Sequence, residues 1–214
     1  MLTRVPLRAV IFDWDGTLLD SYAADARAFL HMFRALEIHW RLDDLKRHYS
    51  PDWHNVYRAV GLSADRWGAA DRLWRDFYCN ERPTLQAGAR AVLQKLSLRY
   101  ELGLVTSGSS WRVRAQLRRF ALDRMFASTV FGDETPRRKP HPAQLRIALR
   151  RLGVAPAASV YIGDAPEDIA MAHRAGVVAV ALLGHSPVPD RLLAAHPDVA
   201  IPGIADLPRL LWRS

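Results

Sequence analysis

Residues 10–21 read Val-Ile-Phe-Asp-Trp-Asp-Gly-Thr-Leu-Leu-Asp-Ser. The apolar run ends at Asp13, a second carboxylate follows at Asp15, and Gly16 gives a turn signal directly after it. A short apolar run that ends in a turn is typical of a central strand in a parallel sheet. Ligands bind beyond the carboxyl ends of such strands, where both carboxylates are expected to lie. From the Asp-Gly dipeptide alone an ordinary turn is the simpler explanation, and three later motifs favour a site.

The composition is that of a globular protein with a basic charge balance. The 214 residues include 30 Lys and Arg against 22 Asp and Glu, which gives a formal net charge of +8, and 50% are hydrophobic. This length allows one well-packed domain, or one domain that carries an insertion. The longest apolar stretch, 177–183, has the length of a strand and is too short to span a bilayer. The basic charges are spread along the chain, so we expect no nucleic-acid partner and no membrane partner.

The cysteine count and the position of the first motif bear on location. Cys79 is the only cysteine, which excludes an intrachain disulfide and fits a reducing compartment. The motif at Asp13 leaves no room before it for a removable signal peptide. We therefore expect a cytoplasmic protein, either a monomer or a homodimer.

Strands and helices are predicted to alternate after residue 83, whereas 21–83 contains no convincing strand. Apolar residues recur at helical spacing in 21–83, and Pro51 and Gly61 divide this part into three or four helices. The alternation predicts right-handed crossovers and a parallel sheet with helices on both faces. We predict an α/β fold with a Rossmann-like catalytic core, 1–20 and 84–214, and an all-helical cap, 21–83, inserted after the first strand. The later strands are expected near 101–106, 127–131, 159–164, 177–183 and 198–201.

Polar residues follow each of the next three predicted strands. Thr106 and Ser107 end the second strand. Lys139 follows the third within Arg-Arg-Lys-Pro-His-Pro, and Asp164 ends the fourth within Gly-Asp-Ala-Pro-Glu-Asp, whose last residue is Asp168. Each has a simpler explanation by itself, such as a helix cap or an exposed charge. Because the carboxyl ends of parallel strands meet at one edge, their joint placement predicts a site.

In their order, these motifs resemble those of the haloacid dehalogenase superfamily of phosphohydrolases, in the branch with a helical cap after the first strand. The motifs are Phe-Asp-Trp-Asp-Gly-Thr, Leu-Val-Thr-Ser, Lys-Pro-His-Pro and Gly-Asp-Ala-Pro-Glu-Asp. The resemblance covers 8–20 and about 84–185, and the layout is most similar to phosphoglycolate-phosphatase-like and phosphosugar-phosphatase-like members. It implies a Mg²⁺-dependent phosphatase that hydrolyses a small phosphorylated metabolite, of the phosphoglycolate or sugar phosphate class, through an aspartyl phosphate.

The resemblance implies catalytic roles for four residues. Asp13 would attack phosphorus as the nucleophile. Asp15 would protonate the leaving alkoxide and then deprotonate the attacking water. Thr106 and Lys139 would stabilise charge on the transferring phosphoryl group.

The resemblance also implies binding roles. Backbone amides near Trp14 and Ser107 would add hydrogen-bond donors to the substrate phosphate. Mg²⁺ prefers oxygen ligands and would neutralise the charge of the two reacting anions. The groups implied for the metal site are the Asp13 carboxylate, the Asp15 main-chain carbonyl and the Asp164 carboxylate, with Asp168 in support.

Asp15 distinguishes between branches of the superfamily. The dehalogenase branch lacks a carboxylate at this position, because carbon–halogen cleavage needs no proton on the leaving group, so Asp15 favours phosphoryl transfer. A phosphonate-hydrolysing branch needs a reactive cap lysine, and Lys46, the only lysine of 21–83, lies in an ordinary charged helix segment. The motifs are also compatible with a sugar phosphomutase, which differs mainly in how its cap excludes water, and with a non-catalytic binding module.

One loop of the predicted cap is a candidate specificity element. Arg47-His-Tyr-Ser-Pro and the Asp-Trp-His that follows form a polar and aromatic connector between two predicted helices. The resemblance to the capped branch implies that a cap loop points at the phosphate site and sets specificity. We predict that this is the loop and that Arg47 binds a part of the substrate remote from the phosphate. A solvated connector explains the same residues equally well.

Overall fold

The computed structural model describes residues 5–212, and its main element is a six-stranded parallel sheet. The strands, in chain order, are β1 (Ala9–Phe12), β2 (Leu19–Asp20), β3 (Thr84–Leu85), β4 (Glu101–Val105), β5 (Ser128–Val130), β6 (Ser159–Gly163), β7 (Val178–Leu182) and β8 (Val199–Ile201). The sheet has the order β5-β4-β1-β6-β7-β8, and every pair in it is parallel. The predicted α/β class is confirmed.

Helices alternate with the strands from β4 onward, as the sequence predicts. The helices, in chain order, are α1 (Tyr22–Ala35), α2 (Leu42–Arg47), α3 (Trp53–Ala59), α4 (Trp67–Tyr78), α5 (Ala89–Leu96), α6 (Ser110–Arg119), α7 (Ala143–Leu152), α8 (Pro166–Ala175), α9 (Pro189–Ala194) and α10 (Leu207–Leu211). Across residues 5–212, no helix combines the length and the apolar character that crossing a membrane requires.

The two faces of the sheet are covered by separate apolar clusters. Val10 and Phe12 of β1 pack in one cluster together with residues of α5, α6 and α10. Ile11, which points to the other face, packs in a second cluster with residues of α7, α8 and α9. Successive side chains of a strand point to opposite faces, so β1 is apolar throughout because both of its faces are buried.

Helices α1 to α4 form a layer of their own, which we call the helical layer. Its apolar cluster includes Met32 and Phe33 of α1, Leu45 of α2 and Val56 and Tyr57 of α3. The chain enters this layer after β2 and leaves it before β3, and these two strands pair antiparallel. The pairing holds the two connections to the sheet side by side. The division of the chain into a catalytic core, 1–20 and 84–214, and a cap, 21–83, stays a prediction.

Candidate active site

The carboxyl ends of β1, β4 and β6 meet at one edge of the sheet. Asp13 follows β1, and its N–H donates to the carbonyl oxygen of Ile162 at 2.9 Å. Thr106 follows β4 and Asp164 follows β6, the two strands that flank β1. Parallel neighbours end side by side, so the fold brings these three side chains to the same edge. The predicted convergence is therefore present in the structure.

Lys139 lies in the loop between β5 and α7 and reaches the same edge. The side chain is fully buried. The Nζ donates to Asp13 Oδ1 at 2.7 Å, to Asp168 Oδ1 at 2.8 Å and to the Tyr161 hydroxyl at 2.8 Å. A buried ammonium is tolerated only with such partners, so this lysine is committed to the carboxylates around it.

Burial and the neighbouring charges set the protonation of this group. Burial raises the pKa of Asp13 to about 7, although the charge of Lys139 opposes the shift. Burial disfavours the charged form of Lys139 as well, but Asp13 and Asp168 outweigh it and raise the pKa of the ammonium. The lysine therefore stays positively charged. Asp13 is partly protonated near neutral pH, and an additional cation beside it would favour its ionised form.

Three buried carboxylates form a cluster that fits a cation. Asp13, Asp164 and Asp168 offer oxygens that lie within 4.8 Å of one another. Asp164 Oδ1 accepts from the Thr17 hydroxyl at 2.6 Å, whereas Asp164 Oδ2 is buried and has no hydrogen-bond partner among the described residues. Burial and the charges of the other two carboxylates raise the pKa of Asp164 well above its ordinary value. An orphaned carboxylate oxygen in an all-oxygen cluster suits a hard cation such as Mg²⁺.

Asp168 differs from the other two carboxylates because both of its oxygens are occupied. Oδ1 accepts from Lys139, and Oδ2 accepts from the main-chain N–H groups of Asp164 at 3.2 Å and Ala165 at 3.1 Å. The side chain thus orients Lys139 and the first turn of α8. The predicted support of the metal site by Asp168 is therefore indirect, through these hydrogen bonds.

Gly16 allows the close approach between the loop after β1 and Asp164. Its φ is +79°, in the left-handed region that L-residues with a side chain rarely adopt. A Cβ at this position would also clash with the Asp164 carboxylate. The turn signal in the sequence thus serves the packing of the carboxylate cluster.

Asp15 is paired with an arginine that the sequence does not single out. Arg112 of α6 donates from Nη1 to Asp15 Oδ1 at 2.7 Å and from Nη2 to Asp15 Oδ2 at 2.6 Å. The arginine side chain is 8% exposed and that of Asp15 is 22% exposed. A bidentate contact of this kind fixes the carboxylate in both position and orientation.

Arg112 and Tyr161 are the site residues that sequence reasoning misses. Arg112 belongs to a helix rich in arginine, where an exposed charge is the default interpretation. Tyr161 lies in the middle of β6, where a tyrosine is typical of the apolar core. Its hydroxyl accepts from Lys139 and donates to the carbonyl of Val105 at 3.0 Å. Only the tertiary contacts reveal either residue.

The predicted phosphate-binding groups lie around Asp13. Thr106 is buried, and its hydroxyl accepts from the Gly108 N–H at 2.9 Å. The Ser107 hydroxyl is buried without a hydrogen-bond partner among residues 5–212. The Trp14 ring is fully buried, and its Nε1 donates to Gln116 at 2.8 Å. Any contact between Trp14 and a phosphate therefore involves its main-chain N–H, as predicted, and not the ring.

Arg47 does not reach this site. Its side chain is 69% exposed and forms an ion pair with Asp44 of the same helix at 3.3 Å. Tyr49 and Ser50 of the same connector do line the cavity beside Asp13. Helix α2 ends at Arg47, so the arginine belongs to the last turn of the helix, whereas the two lining residues belong to the connector after it. The predicted direction of the loop is present in the structure, but the residue chosen from it is not at the cavity.

A cavity of about 180 Å³ separates the helical layer from the edge of the sheet. Asp13, Asp15, Thr106 and Ser107 form its wall on the sheet side. The opposite wall comes from α1, α3, α4 and the connector between α2 and α3, and it is largely aromatic. A ligand in this cavity can therefore contact the carboxylates and the helical layer at the same time.

Comparison with known proteins agrees with this geometry. The family model of haloacid dehalogenase-like hydrolases matches residues 10–182. A phosphoglycolate phosphatase of Mannheimia succiniciproducens is 35% identical over an alignment that covers 94% of this chain and 96% of the relative. Pyrophosphatase PpaX of Oceanobacillus iheyensis is 24% identical, with 94% of this chain and 95% of the relative covered.

A solved structure has the same fold. A haloacid dehalogenase-like family hydrolase from Streptococcus pneumoniae superposes with a TM-score of 0.83 and 22% identity, covering 95% of this chain and 98% of that one. At this identity the likeness shows the fold alone. The same strands and helices therefore underlie both chains.

Proposed function

The chain belongs to the haloacid dehalogenase-like hydrolase family, as its four motifs predict, and we propose that it is a Mg²⁺-dependent phosphatase of a small phosphorylated metabolite. The observation that carries the proposal is the buried contact of the Lys139 ammonium with Asp13 and Asp168. Lys139 thereby places a fixed positive charge beside the nucleophile Asp13, and Asp164 at the same edge supplies a further carboxylate oxygen for a metal ion.

In the first step, a carboxylate oxygen of Asp13 forms a bond to phosphorus as the ester P–O bond breaks. Lys139 holds Asp13 Oδ1, so the carboxylate cannot turn away from the cavity. The leaving alkoxide takes a proton from Asp15. Charge on the phosphoryl oxygens is stabilised by Lys139, the Thr106 hydroxyl and the main-chain N–H groups of Trp14 and Ser107.

In the second step, Asp15 takes a proton from water, and the oxygen of that water attacks phosphorus. The bond between phosphorus and Asp13 then breaks, which restores the carboxylate and releases phosphate. To act in either step, Asp15 must turn from Arg112 towards the phosphoryl group, because both of its oxygens face the guanidinium in this structure. Asp15 thus serves as acid and base in turn.

The fitted cation would be held by Asp13, the main-chain carbonyl of Asp15 and Asp164. When bound, Mg²⁺ supplies the positive charge that lets two anions approach. Asp164 is fixed for this task by the Thr17 hydroxyl, and Asp168 fixes Lys139. Asp168 therefore positions the lysine without binding the metal, whereas Asp13 would contact both.

We propose that 21–83 acts as a cap over this site. The helical layer closes the cavity on the side opposite to Asp13, and excluding water favours phosphoryl transfer over side reactions. Several contacts join the layers near the site, and two of them involve the connector between α2 and α3 and the start of α3. The Ser50 hydroxyl donates to Glu167 at 3.0 Å, and the Arg138 guanidinium lies 3.9 Å from the centre of the Trp53 ring.

Phosphate release from 4-nitrophenyl phosphate tests the proposal. We expect turnover with Mg²⁺ and none with EDTA, because the carboxylate cluster requires the cation. Asp13→Asn should abolish turnover, while the exposed control Asp123→Asn should retain it. Undiminished release without a divalent cation, or by Asp13→Asn, would contradict the assignment.

A phosphomutase is the competing function within the same family. It returns the phosphoryl group to a sugar, whereas a phosphatase gives it to water. Phosphorus NMR of a hexose 1-phosphate incubated with the protein and Mg²⁺ separates the two outcomes. Inorganic phosphate as the product supports the phosphatase, and a hexose 6-phosphate as the sole product supports the mutase.

A further inference from the structure

The wall of the cavity formed by the helical layer is aromatic. Phe29 of α1, Trp53 and Tyr57 of α3 and Trp74 of α4 all line it. These rings also pack on one another, since the centres of the Phe29 and Trp74 rings are 5.9 Å apart and those of Phe29 and Tyr57 are 6.4 Å apart. The part of a substrate that extends from the phosphate into the helical layer therefore meets flat apolar surfaces.

This wall offers one cation, Arg75, to a negatively charged leaving group. The arginines that line the cavity in the described part of the chain are Arg75 and Arg112. In this structure Arg112 is paired with Asp15, and Arg75 is exposed, with its guanidinium 5.1 Å from the centre of the Trp111 ring of α6. A carboxylate or a second phosphate that lay against the Phe29, Trp53 and Tyr57 rings would be desolvated there, which is unfavourable for a charged group.

Of the three charged residues that line the cavity from the helical layer, two are carboxyls and the third is Arg75. Asp71 accepts from Trp53 Nε1 at 3.0 Å and from the Tyr57 hydroxyl at 2.9 Å, so its charge is directed at the aromatic wall. Asp25 of α1 also lines the cavity. Like charges repel, so the Asp71 carboxylate disfavours an anionic leaving group. Burial raises the pKa of Asp25 to about 7, so Asp25 adds to this repulsion only where it is ionised.

From this wall, and on the basis of the proposed phosphatase activity, we propose that the substrate is a phosphate monoester whose alcohol carries an uncharged, flat aromatic ring. The phosphate lies at Asp13 and the ring lies against Trp53, Trp74 and Phe29. The cavity has a volume of about 180 Å³, part of which the phosphate would fill beside Asp13, and a cavity of roughly 150 Å³ takes a benzene molecule, so no more than one ring is accommodated. An ester of glycolate, or pyrophosphate, would place its second negative charge against these rings and near the Asp71 carboxylate.

A substrate panel tests this proposal. The panel consists of benzyl phosphate, ethyl phosphate and 2-phosphoglycolate. The leaving group of each ester is the alkoxide of an aliphatic alcohol, so differences in kcat/KM reflect the substituent that the alkoxide carries. Burying a phenyl-sized group in the cavity should raise kcat/KM by roughly tenfold to a hundredfold. We expect kcat/KM for benzyl phosphate to exceed that of both other esters by about tenfold or more. Adenosine 5′-monophosphate is a further arm, in which a ribose separates ring and phosphate, and its rate relative to benzyl phosphate identifies the class of aromatic alcohol.

The outcomes separate the substrate proposal from the proposed activity. Turnover of 2-phosphoglycolate at a rate equal to or above that of benzyl phosphate would overturn the aromatic substrate and leave the phosphatase standing. If no ester is hydrolysed, the phosphatase itself is wrong. The ring site is then judged by calorimetry, in which benzylphosphonate should bind at least tenfold more tightly than phosphonoacetate, and equal affinity would overturn it.

A pair of variants locates the ring. Trp74→Leu removes one aromatic face of the cavity, whereas Trp40→Leu makes the same change in the apolar cluster of the helical layer away from the cavity. We expect Trp74→Leu to lower the ratio of benzyl phosphate to ethyl phosphate turnover at least fivefold, and Trp40→Leu to leave that ratio unchanged. An unchanged ratio in Trp74→Leu would contradict the placement of the ring, and the substrate panel on the unmodified protein decides the matter if this variant does not fold.

Discussion

At the scale of single residues, the site depends on one buried positive charge among carboxylates. Lys139 is the only cation that contacts Asp13 in the described residues, and it contacts Asp168 and Tyr161 as well. Without it, the buried carboxylates would face one another with no compensating charge. The lysine therefore stabilises the fold of the site, and it would also stabilise the negative charge of the phosphoryl group.

Lys139→Met should remove both contributions. We expect kcat/KM for every phosphate ester to fall by about 10²–10³-fold, the loss seen when one group that stabilises a developing oxyanion is removed. Breaking a buried ion pair also costs about 3–5 kcal/mol of stability. Steady-state kinetics and urea unfolding in EDTA measure the two effects, with Lys95→Met, an exposed lysine of α5, as the control. A variant with normal turnover would show that Lys139 is structural only.

The residue scale also shows what a sequence can and cannot predict. Asp13, Thr106, Lys139 and Asp164 could be predicted to converge, because each follows a predicted strand and parallel strands end together. Arg112 could not, since a buried arginine in a basic helix has the same local pattern as an exposed one. The burial of a charge depends on the partner that the fold brings to it.

At the scale of secondary-structure elements, the strands and helices of the core follow from periodicity and turn signals. The antiparallel pair β2–β3 does not, because strands of two residues carry no detectable alternation. The position of Arg47 also eluded prediction, since it depends on where α2 ends relative to the cavity. Element boundaries of one or two residues decide which side chain faces a site.

Helix α6 joins the helical layer to the core through its buried arginine. Arg112 contacts Asp15 and also donates to the Tyr78 hydroxyl at 3.4 Å, at the end of α4. The same guanidinium therefore links the loop after β1 with the helical layer.

We expect Arg112→Met to lower the free energy of unfolding by about 2–4 kcal/mol, because Asp15 loses its partner while remaining mostly buried. Arg112→Lys keeps the charge but not the two-fold contact, so it should lose less. Urea unfolding measures the change, with Arg118→Met, an exposed arginine of the same helix, as the control. Equal stability of all three variants would show that the pair contributes nothing to the fold.

At the scale of the whole molecule, a basic chain encloses an acidic site. The formal net charge is +8, yet the cluster at the sheet edge holds three buried carboxylates against one lysine. The local charge therefore favours a divalent cation although the overall charge does not. Such a cation stabilises the folded state by an amount that grows with the logarithm of its concentration relative to its Kd.

Mg²⁺ should accordingly raise the melting temperature, and more so at pH 8 than at pH 5.5. Burial raises the pKa of Asp13 from 3.8 to about 7. Its protonated form thus stabilises the metal-free fold fully below about pH 4, and this contribution is lost as the pH rises through 7. Mg²⁺ competes with that proton, so its effect grows over the same interval.

At a concentration of 100 times its Kd, the cation adds about 2.7 kcal/mol, or a shift of about 5 °C or more. Calorimetric scans with Mg²⁺ and with EDTA measure the shift. Asp164→Asn should lose it and Asp123→Asn should keep it. A shift of the same size at both pH values would show that Asp13 is not part of the cation site.

The measurement that tests the central claim most directly is a single turnover of Asp15→Asn with 4-nitrophenyl phosphate and Mg²⁺, stopped with acid. The nitrophenolate leaves without a proton, but water is no longer activated, so the aspartyl phosphate should accumulate. We predict a burst of about one nitrophenolate per active site and, by tandem mass spectrometry, one phosphoryl group on Asp13. A burst that leaves no phosphoryl group on Asp13, or one placed on another residue, would contradict the account.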